Sequence, residues 1–287
     1  MFYIPILGAF LEATGMIIEK KTLRKKNINY KNYSIYSFLS IVIIMIPFLF
    51  FFWRIDPEAF QLKNLLIFFA ISVIALAANL LIFYSLKRET LSEFEPIILM
   101  QPLFTILIAF FLSFFISAYS NENNPLILVL ALIACITLIS AHIKKHHLIY
   151  DKYIIAALLG GFLFAVELVL SKMILPYYSS WTFYFLRCLV ILIIAVLIFK
   201  PSFKKIDRQS HYFTWIVSLI WIVYRAILYW GYSSLGIIYT TMVLSLLSPV
   251  LVFLFARIFL KEKLTLRHIV SAIIIVGCIV IAVFLNN

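Results

Sequence analysis

Four ionisable side chains sit where ionisable side chains are expensive. Glu12, Glu167, Arg187 and Arg225 each fall near the middle of a long apolar stretch. A charge near the centre of a bilayer costs at least about 2.5–3.5 kcal/mol on insertion scales, so each one needs a partner or a task. Glu12 shares one helical face with Gly8, Gly15 and Glu19. Glycines on that face let a neighbouring backbone come close, and the carboxylate turns toward protein rather than lipid. Glu167 lines up in the same way with Gly160, Phe164 and Ser171. Arg225 shares a face with Trp221, Tyr229 and Tyr232, an aromatic setting suited to a stacked guanidinium or a planar solute. A buried carboxylate of this kind can exchange protons, and a buried arginine can hold an anionic group such as a carboxylate. Alternatively, Glu167 with Arg187, or Glu12 with Arg225, form ion pairs that only join helices. Arg187 is the strongest candidate for that structural role.

Weaker polar groups surround these four. Asn79, Gln101 and the stripe Thr241, Ser245, Ser248 can line a shared cavity, although Ser and Thr are also ordinary helix-contact residues in membranes. Pro102 and Pro249 each free a backbone carbonyl one turn earlier and kink their helices, as a hinge or as a fixed bend. Glu93 and Glu95 stand close enough to Lys87 and Arg88 to pair with them. His142, His146 and His147 cluster in one loop, while His211 and His268 are isolated. Five histidines are too few for the multiple boxes of a membrane di-iron site, so an interfacial cluster is the expectation. Cys135, Cys188 and Cys278 lie in apolar stretches without metal-ligand spacing and are expected to be packing residues. There is no H-E-x-x-H, no G-x-S-x-G and no Gly-rich phosphate loop. No metal and no cofactor are expected.

The elements that position these groups follow from composition. The chain has 287 residues, 65% of them hydrophobic and 13% charged. A soluble domain is about one-quarter charged, so there is too little polar surface here to cover a water-soluble globule. Ten apolar blocks are legible, at 2–19, 33–53, 63–86, 92–118, 125–142, 153–175, 180–199, 212–234, 237–260 and 267–285. Blocks of about twenty residues cross a hydrocarbon core of roughly 30 Å. Each is continuous rather than alternating, which makes it a helix and not a barrel strand. The first begins at Met1 without a basic region or a cleavage site and is expected to be a retained span. The fold class is therefore all-α integral membrane.

The loop charges orient the spans. Lys20, Lys21, Arg24, Lys25, Lys26 and Lys31 follow the first block, and Lys87 and Arg88 the third. Lys144, Lys145 and Lys152 follow the fifth, Lys200, Lys204, Lys205 and Arg208 the seventh, and Lys261, Lys263 and Arg267 the ninth. The intervening loops carry only Arg54, Lys63 and Lys172. The positive-inside bias predicts odd loops in the cytoplasm and both termini outside, in the plasma or inner membrane. The same distribution argues against nucleic acid as the partner of the net +12 charge, because no basic domain or groove-reading motif accompanies it.

The two halves repeat. Tyr84 precedes Gln101-Pro102 as Tyr232 precedes Ser248-Pro249, with spacings that differ by one residue. Ala134-Cys135 matches Gly277-Cys278, and Leu7-Gly8 matches Leu159-Gly160. Five spans per half is an odd number, so the second half enters the membrane from the opposite side. The expected organisation is two inverted-topology five-helix repeats, 1–147 and 148–287. Inverted repeats are a transporter device, in which the two halves form one midplane site and rock about it.

On these residues the chain resembles the drug/metabolite transporter superfamily, and in particular its EamA-like ten-helix permeases. The resemblance is carried by Tyr232 to Gly236, then Leu246, Ser248 and Pro249, then Phe259 to Glu262, and Gly277-Cys278. Arg187 also falls at a common family position. The first half departs from the pattern, with Asn121-Glu122 in place of the usual turn and no arginine in span two. The first span, with Gly8, Glu12, Gly15 and Lys20, is similar to that of the small multidrug-resistance proteins, where a membrane glutamate exchanges protons for cationic substrate. The resemblance implies a secondary transporter for a small metabolite such as an amino acid, by alternating access and with possible proton coupling, as monomer or homodimer. Glu12, Glu167, Arg187 and Arg225 would be its central charges, with Asn79, Gln101, Trp221, Tyr229 and Tyr232 shaping the cavity. The alternatives are a flippase for a lipid-linked sugar, or an intramembrane transferase, for which the sequence offers no nucleophile or metal cluster.

Overall fold

A computed structural model describes residues 3–23, 25, 28–89, 94, 97–142, 151–200, 208–251 and 266–285, apart from the side chains of Tyr3, His142, Arg208 and His268. The expected repeat boundary at 147/148 lies outside these residues. So do Glu93, Glu95, His146, His147, Glu262 and several loop cations, among them Lys144, Lys145, Lys204, Lys205, Lys261 and Lys263.

The described helices are α1 (Tyr3–Leu23), α2 (Tyr30–Phe52), α3 (Leu62–Arg88), α4 (Met100–Ser113) and α5 (Pro125–His142) in the first half. The second half has α6 (Lys152–Lys172), α7 (Ser180–Phe199), α8 (Arg208–Ser234), α9 (Ile237–Ser245) and α10 (Leu266–Leu285). Local chemistry starts and stops them. Asn29 caps α2, its side chain accepting from the Lys31 N–H at 3.0 Å. Ser179 caps α7 by accepting from the Thr182 N–H at 3.1 Å. At the other end of α7, Lys200 turns the chain out of the helix with φ 43°. Among the described residues five helices are long and apolar enough to cross a membrane. Their outward faces are apolar too, with Phe50, Phe51, Leu66 and Leu197 all exposed. Only lipid suits helices that are apolar inside and out.

Two spans differ from their apolar blocks. In block four Phe94, Ile97 and Ile98 are helical, a turn falls at Leu99, and the helix Met100–Ser113 that follows gives way to a turn and a 3-10 segment, Ser117–Glu122. The helix of block nine ends at Ser245, breaks at Leu246 and resumes over 247–251. In both places a proline stands three residues beyond the break. Without an N–H, Pro102 and Pro249 cannot bond the carbonyls of Ile98 and Ser245, and their rings crowd the preceding turn.

Packing follows a rule of five. α3 packs along α6 as α8 packs along α1, and α4 meets α6 as α9 meets α1. α2 touches α8 as α7 touches α3, while α2–α7, α4–α9 and α5–α10 are each their own counterpart. Advancing every helix by five places maps these pairs onto one another, as two inverted repeats around one pseudo-twofold axis require. The matched glycines fit the rule. A Cβ on Gly8 would lie 2.1 Å from Leu244 on α9 and 3.2 Å from Ile227 on α8. One on Gly160 would lie 2.9 Å from Ile82 on α3.

Two connections close one end of the bundle. The α2–α3 linker pairs with the α6–α7 linker: the Asp56 N–H donates to the Tyr177 carbonyl at 2.8 Å and the Ser179 N–H to the Arg54 carbonyl at 3.1 Å. Arg54 Nη2 lies 2.7 Å from Asp56 Oδ2 and holds that carboxyl below its ordinary range. A carboxyl lowered on folding adds stability above its unfolded pKa and loses it as pH falls through the folded one, so this clasp weakens in acid.

Glu122 forms the second connection. Buried in the α4–α5 link, it accepts from the N–H groups of Ile237 (2.6 Å) and Ile238 (2.9 Å), the unsatisfied donors at the start of α9. It also pairs with Lys172 at the end of α6. Gly236 passes this carboxylate at φ 95°, where a Cβ would sit 3.1 Å from Glu122 Oε1. Glu122→Ala strands a largely buried lysine and two N–H groups, an expected loss of about 3–5 kcal/mol. The heat-unfolding midpoint in detergent should fall clearly, and by less in Glu122→Gln, which can still accept from the N–H groups. An unchanged midpoint in the alanine variant would show that the cap carries no stability.

Candidate functional site

A cavity of about 150 Å³ opens between α1, α2, α3, α4, α7, α8 and the residues around Pro249. It occupies the half of the bundle holding the end of α1, the end of α3 and the start of α4, opposite the clasp and the Glu122 cap. Glu12 and Glu19 reach it from α1, Asn79 from α3, Gln101 from α4, Arg187 from α7, and Trp221, Tyr224 and Arg225 from α8. Both proline breaks border it, through Leu99, Pro102, Ser245, Ser248 and Pro249.

The arginines are tied together from behind. Glu167 on α6 is fully buried, with Oε1 3.1 Å from Arg187 Nε and Oε2 3.9 Å from Arg225 Nη1. Arg187 Nη1 donates to the Tyr229 hydroxyl at 2.8 Å, and that hydroxyl donates to Glu167 Oε1 at 3.3 Å. Ser171 adds a donor to the same carboxylate at 3.3 Å. The Arg225 guanidinium lies 5.4 Å from the centre of the Phe164 ring and 5.9 Å from that of Tyr224. One carboxylate thus serves two guanidiniums. Neither Arg187 Nε nor Arg225 Nη1 has an aligned hydrogen bond. The cluster keeps one surplus positive charge at the cavity wall, suited to an anionic group.

Helix α1 adds two carboxylates to the same wall. Glu12 Oε1 accepts from the Tyr224 hydroxyl at 2.9 Å, while its Oε2 is buried without a partner. Glu19, two turns along α1, accepts from the Tyr33 hydroxyl of α2 at 3.2 Å. The absence of a side chain at Gly15 lets the Trp221 ring lie against α1 between these carboxylates, 3.5 Å from where a Cβ would be. The chamber is therefore lined by carboxylates and guanidiniums together, with aromatic rings among them.

Sequence expectations map onto this site unevenly. Glu12, Asn79, Gln101, Arg187, Trp221 and Arg225 stand on the wall, and Pro102 and Pro249 border it. Glu167 and Tyr229 stand behind the wall and hold the arginines. Tyr232 is turned away, its hydroxyl 3.1 Å from Thr241 Oγ1. Tyr232 and Thr241 are therefore packing partners rather than cavity groups, because the α8 face that carries Arg225 rotates toward α9 at its far end. Asn79 donates back to the Ala75 carbonyl at 2.7 Å. Tyr184, Tyr224, Tyr33 and Glu19 went unassigned from sequence. Of these only Glu19 carried a signal, its shared face with Glu12.

The comparisons were decisive once this geometry was known. The EamA-like transporter family model matches residues 1–140 and again 151–284. The chain belongs to the EamA-like transporter family. It is thereby a multi-pass membrane protein of the drug/metabolite transporter superfamily, built from two EamA repeats. Solved structures share the fold: one crystal structure superposes with a TM-score of 0.72 at 14% identity, over 99% of this chain and 97% of its own. No curated protein matches significantly.

Within this EamA-like fold, Glu167 is the counter-charge on which both arginines depend. Glu167→Gln leaves two buried guanidiniums unneutralised, and its unfolding midpoint should drop by the equivalent of about 3–5 kcal/mol. Tyr229→Phe removes hydrogen bonds but no charge, and should cost about 1 kcal/mol. Equal shifts in the two variants would overturn this ranking.

Proposed function

We propose that this EamA-like protein is a secondary transporter of the cell membrane that moves a small amine- and carboxylate-bearing metabolite, such as an amino acid, by alternating access. The observation that carries the proposal is a chamber lined by both signs of charge, with unsatisfied Glu12 Oε2 and loosely held Arg225 both on its wall. A zwitterion fits that pair, its amine at Glu12 and its carboxylate at Arg225. The half-sealed bundle supports the same reading. The linker clasp and the Glu122 cap tie the end of the bundle away from the cavity, so in this scheme a solute enters from one side and leaves after the repeats rock.

Glu12 is the coupling residue in this scheme. A proton on its carboxylate competes with the amine of the solute, so protons and solute exchange. Pro102 and Pro249 act as paired hinges, placed at the two breaks that border the chamber. The loop charges put the open half toward the cytoplasm and both termini outside.

Solute flux into proteoliposomes under an imposed pH gradient tests the proposal. Saturable amino-acid uptake that follows the gradient is expected, with gradient dependence lost in Glu12→Gln. Flux that ignores the Glu12 substitution would remove the coupling role and leave the transporter. Orientation has a separate test. The protein's own cysteines are buried, and Asn123 is exposed, so Asn123→Cys should react with an impermeant maleimide added to intact cells. Labelling only after the membrane is opened would invert the topology.

A further inference from the structure

Glu12 and Arg225 are opposite charges on the same chamber wall, and each keeps an unsatisfied buried atom, Oε2 of the first and Nη1 of the second. Opposite charges attract strongly where water is scarce. Arg225 is near enough for its charge to act on Glu12. Yet among the described residues the carboxylate paired with Arg225 is Glu167, 3.9 Å from Nη1. Tyr224 touches both partners of the pair that does not form. Its hydroxyl donates to Glu12 Oε1 at 2.9 Å, and its ring centre lies 5.9 Å from the Arg225 guanidinium. The ring is buried and braced, edge-on to Trp221 with centroids 5.3 Å apart. Trp221 in turn lies against Gly15 of α1, 3.5 Å from where a Cβ would be.

We infer that Tyr224 is a positioning residue, which holds Glu12 and Arg225 apart as two separate poles and so keeps the site open to a zwitterion. The hydroxyl anchors one carboxylate oxygen of Glu12 and leaves the other presented. The ring gives the guanidinium an aromatic partner, as Phe164 of α6 does at 5.4 Å. Glu12 turned toward Arg225 would satisfy both unpaired atoms at once, and a solute would have to break that pair before binding. Loss of the hydroxyl alone permits the turn, because no other bond to a described residue fixes the Glu12 side chain. A tyrosine suits the task because it donates one hydrogen bond without adding a charge of its own. This inference rests on the permease reading, and adds to it the residue that keeps the two poles from neutralising each other.

The test is Tyr224→Phe, read as the KM and maximal rate of uptake of labelled neutral amino acids into proteoliposomes of the full chain. KM should rise by at least about tenfold, the low end for a close charge pair, with the maximal rate unchanged. The heat-unfolding midpoint in detergent should stay at the wild-type value, since Glu12 exchanges one partner for another. Glu12→Gln leaves no carboxylate to fall onto Arg225, so adding Tyr224→Phe to that variant should leave its KM as it is. A hydroxyl that only supports the fold would lower the midpoint, or shift KM equally in both backgrounds. Either result would overturn the positioning role, as would an unchanged KM in Tyr224→Phe. A variant that fails to fold would overturn it too, because a Glu12 free to turn to Arg225 is not left without a partner. In each of these cases uptake by wild type leaves the permease standing. No uptake of any amino acid tried would instead overturn the permease reading, and the positioning role with it.

Discussion

Hydrocarbon can neither hydrogen-bond a backbone nor solvate a charge, and that one constraint organises the whole molecule. It forces each crossing into a helix, because only there does every N–H find a carbonyl within its own segment. It also turns Glu12, Glu19, Glu167, Arg187 and Arg225 away from lipid, since no other direction offers a partner. The interior of this bundle is thus the place where polar groups collect. A cavity bounded by charges results from solvent exclusion before any substrate is considered.

The constraint also shows where helices can break. At both proline positions the backbone gives up helical bonds at membrane depth, which lipid would penalise heavily. Both breaks border the chamber, where polar side chains and solute can reach the freed carbonyls. Their equivalence under the five-helix repeat makes them a symmetric pair, with α4 and α9 facing each other across the axis. An irregular backbone beside the site is stable only because the other eight helices shield it.

Asymmetry enters at the ends. The open half holds the chamber, while the other half is tied by the linker clasp and by Glu122, which joins α4–α5, α6 and α9 through one carboxylate. The bonds around Glu122 belong to the state seen here, and their partners come from both repeats. Closure on one side and access on the other are therefore properties of the same set of contacts.

The helical class with about ten helices, the repeat and the family were legible from sequence, because hydropathy and matched Gly and Pro positions are one-dimensional signals. The faces bearing Glu12 and Arg225 were legible as well, since helical periodicity is local. Partner choice was not. Glu167 takes both arginines, although pairings of Glu167 with Arg187 and of Glu12 with Arg225 fitted the sequence equally well. Tyr232 leaves the site for Thr241, although it shares the face of Arg225. Glu122 looked like a departure from the family's turn, and became a cap for a helix 115 residues away. These outcomes depend on the rotation and depth of each helix against its neighbours, which are set by packing at Gly8, Gly15 and Gly160 and by the proline breaks. Periodicity along a chain tells which residues share a face; only the assembled bundle decides what that face meets.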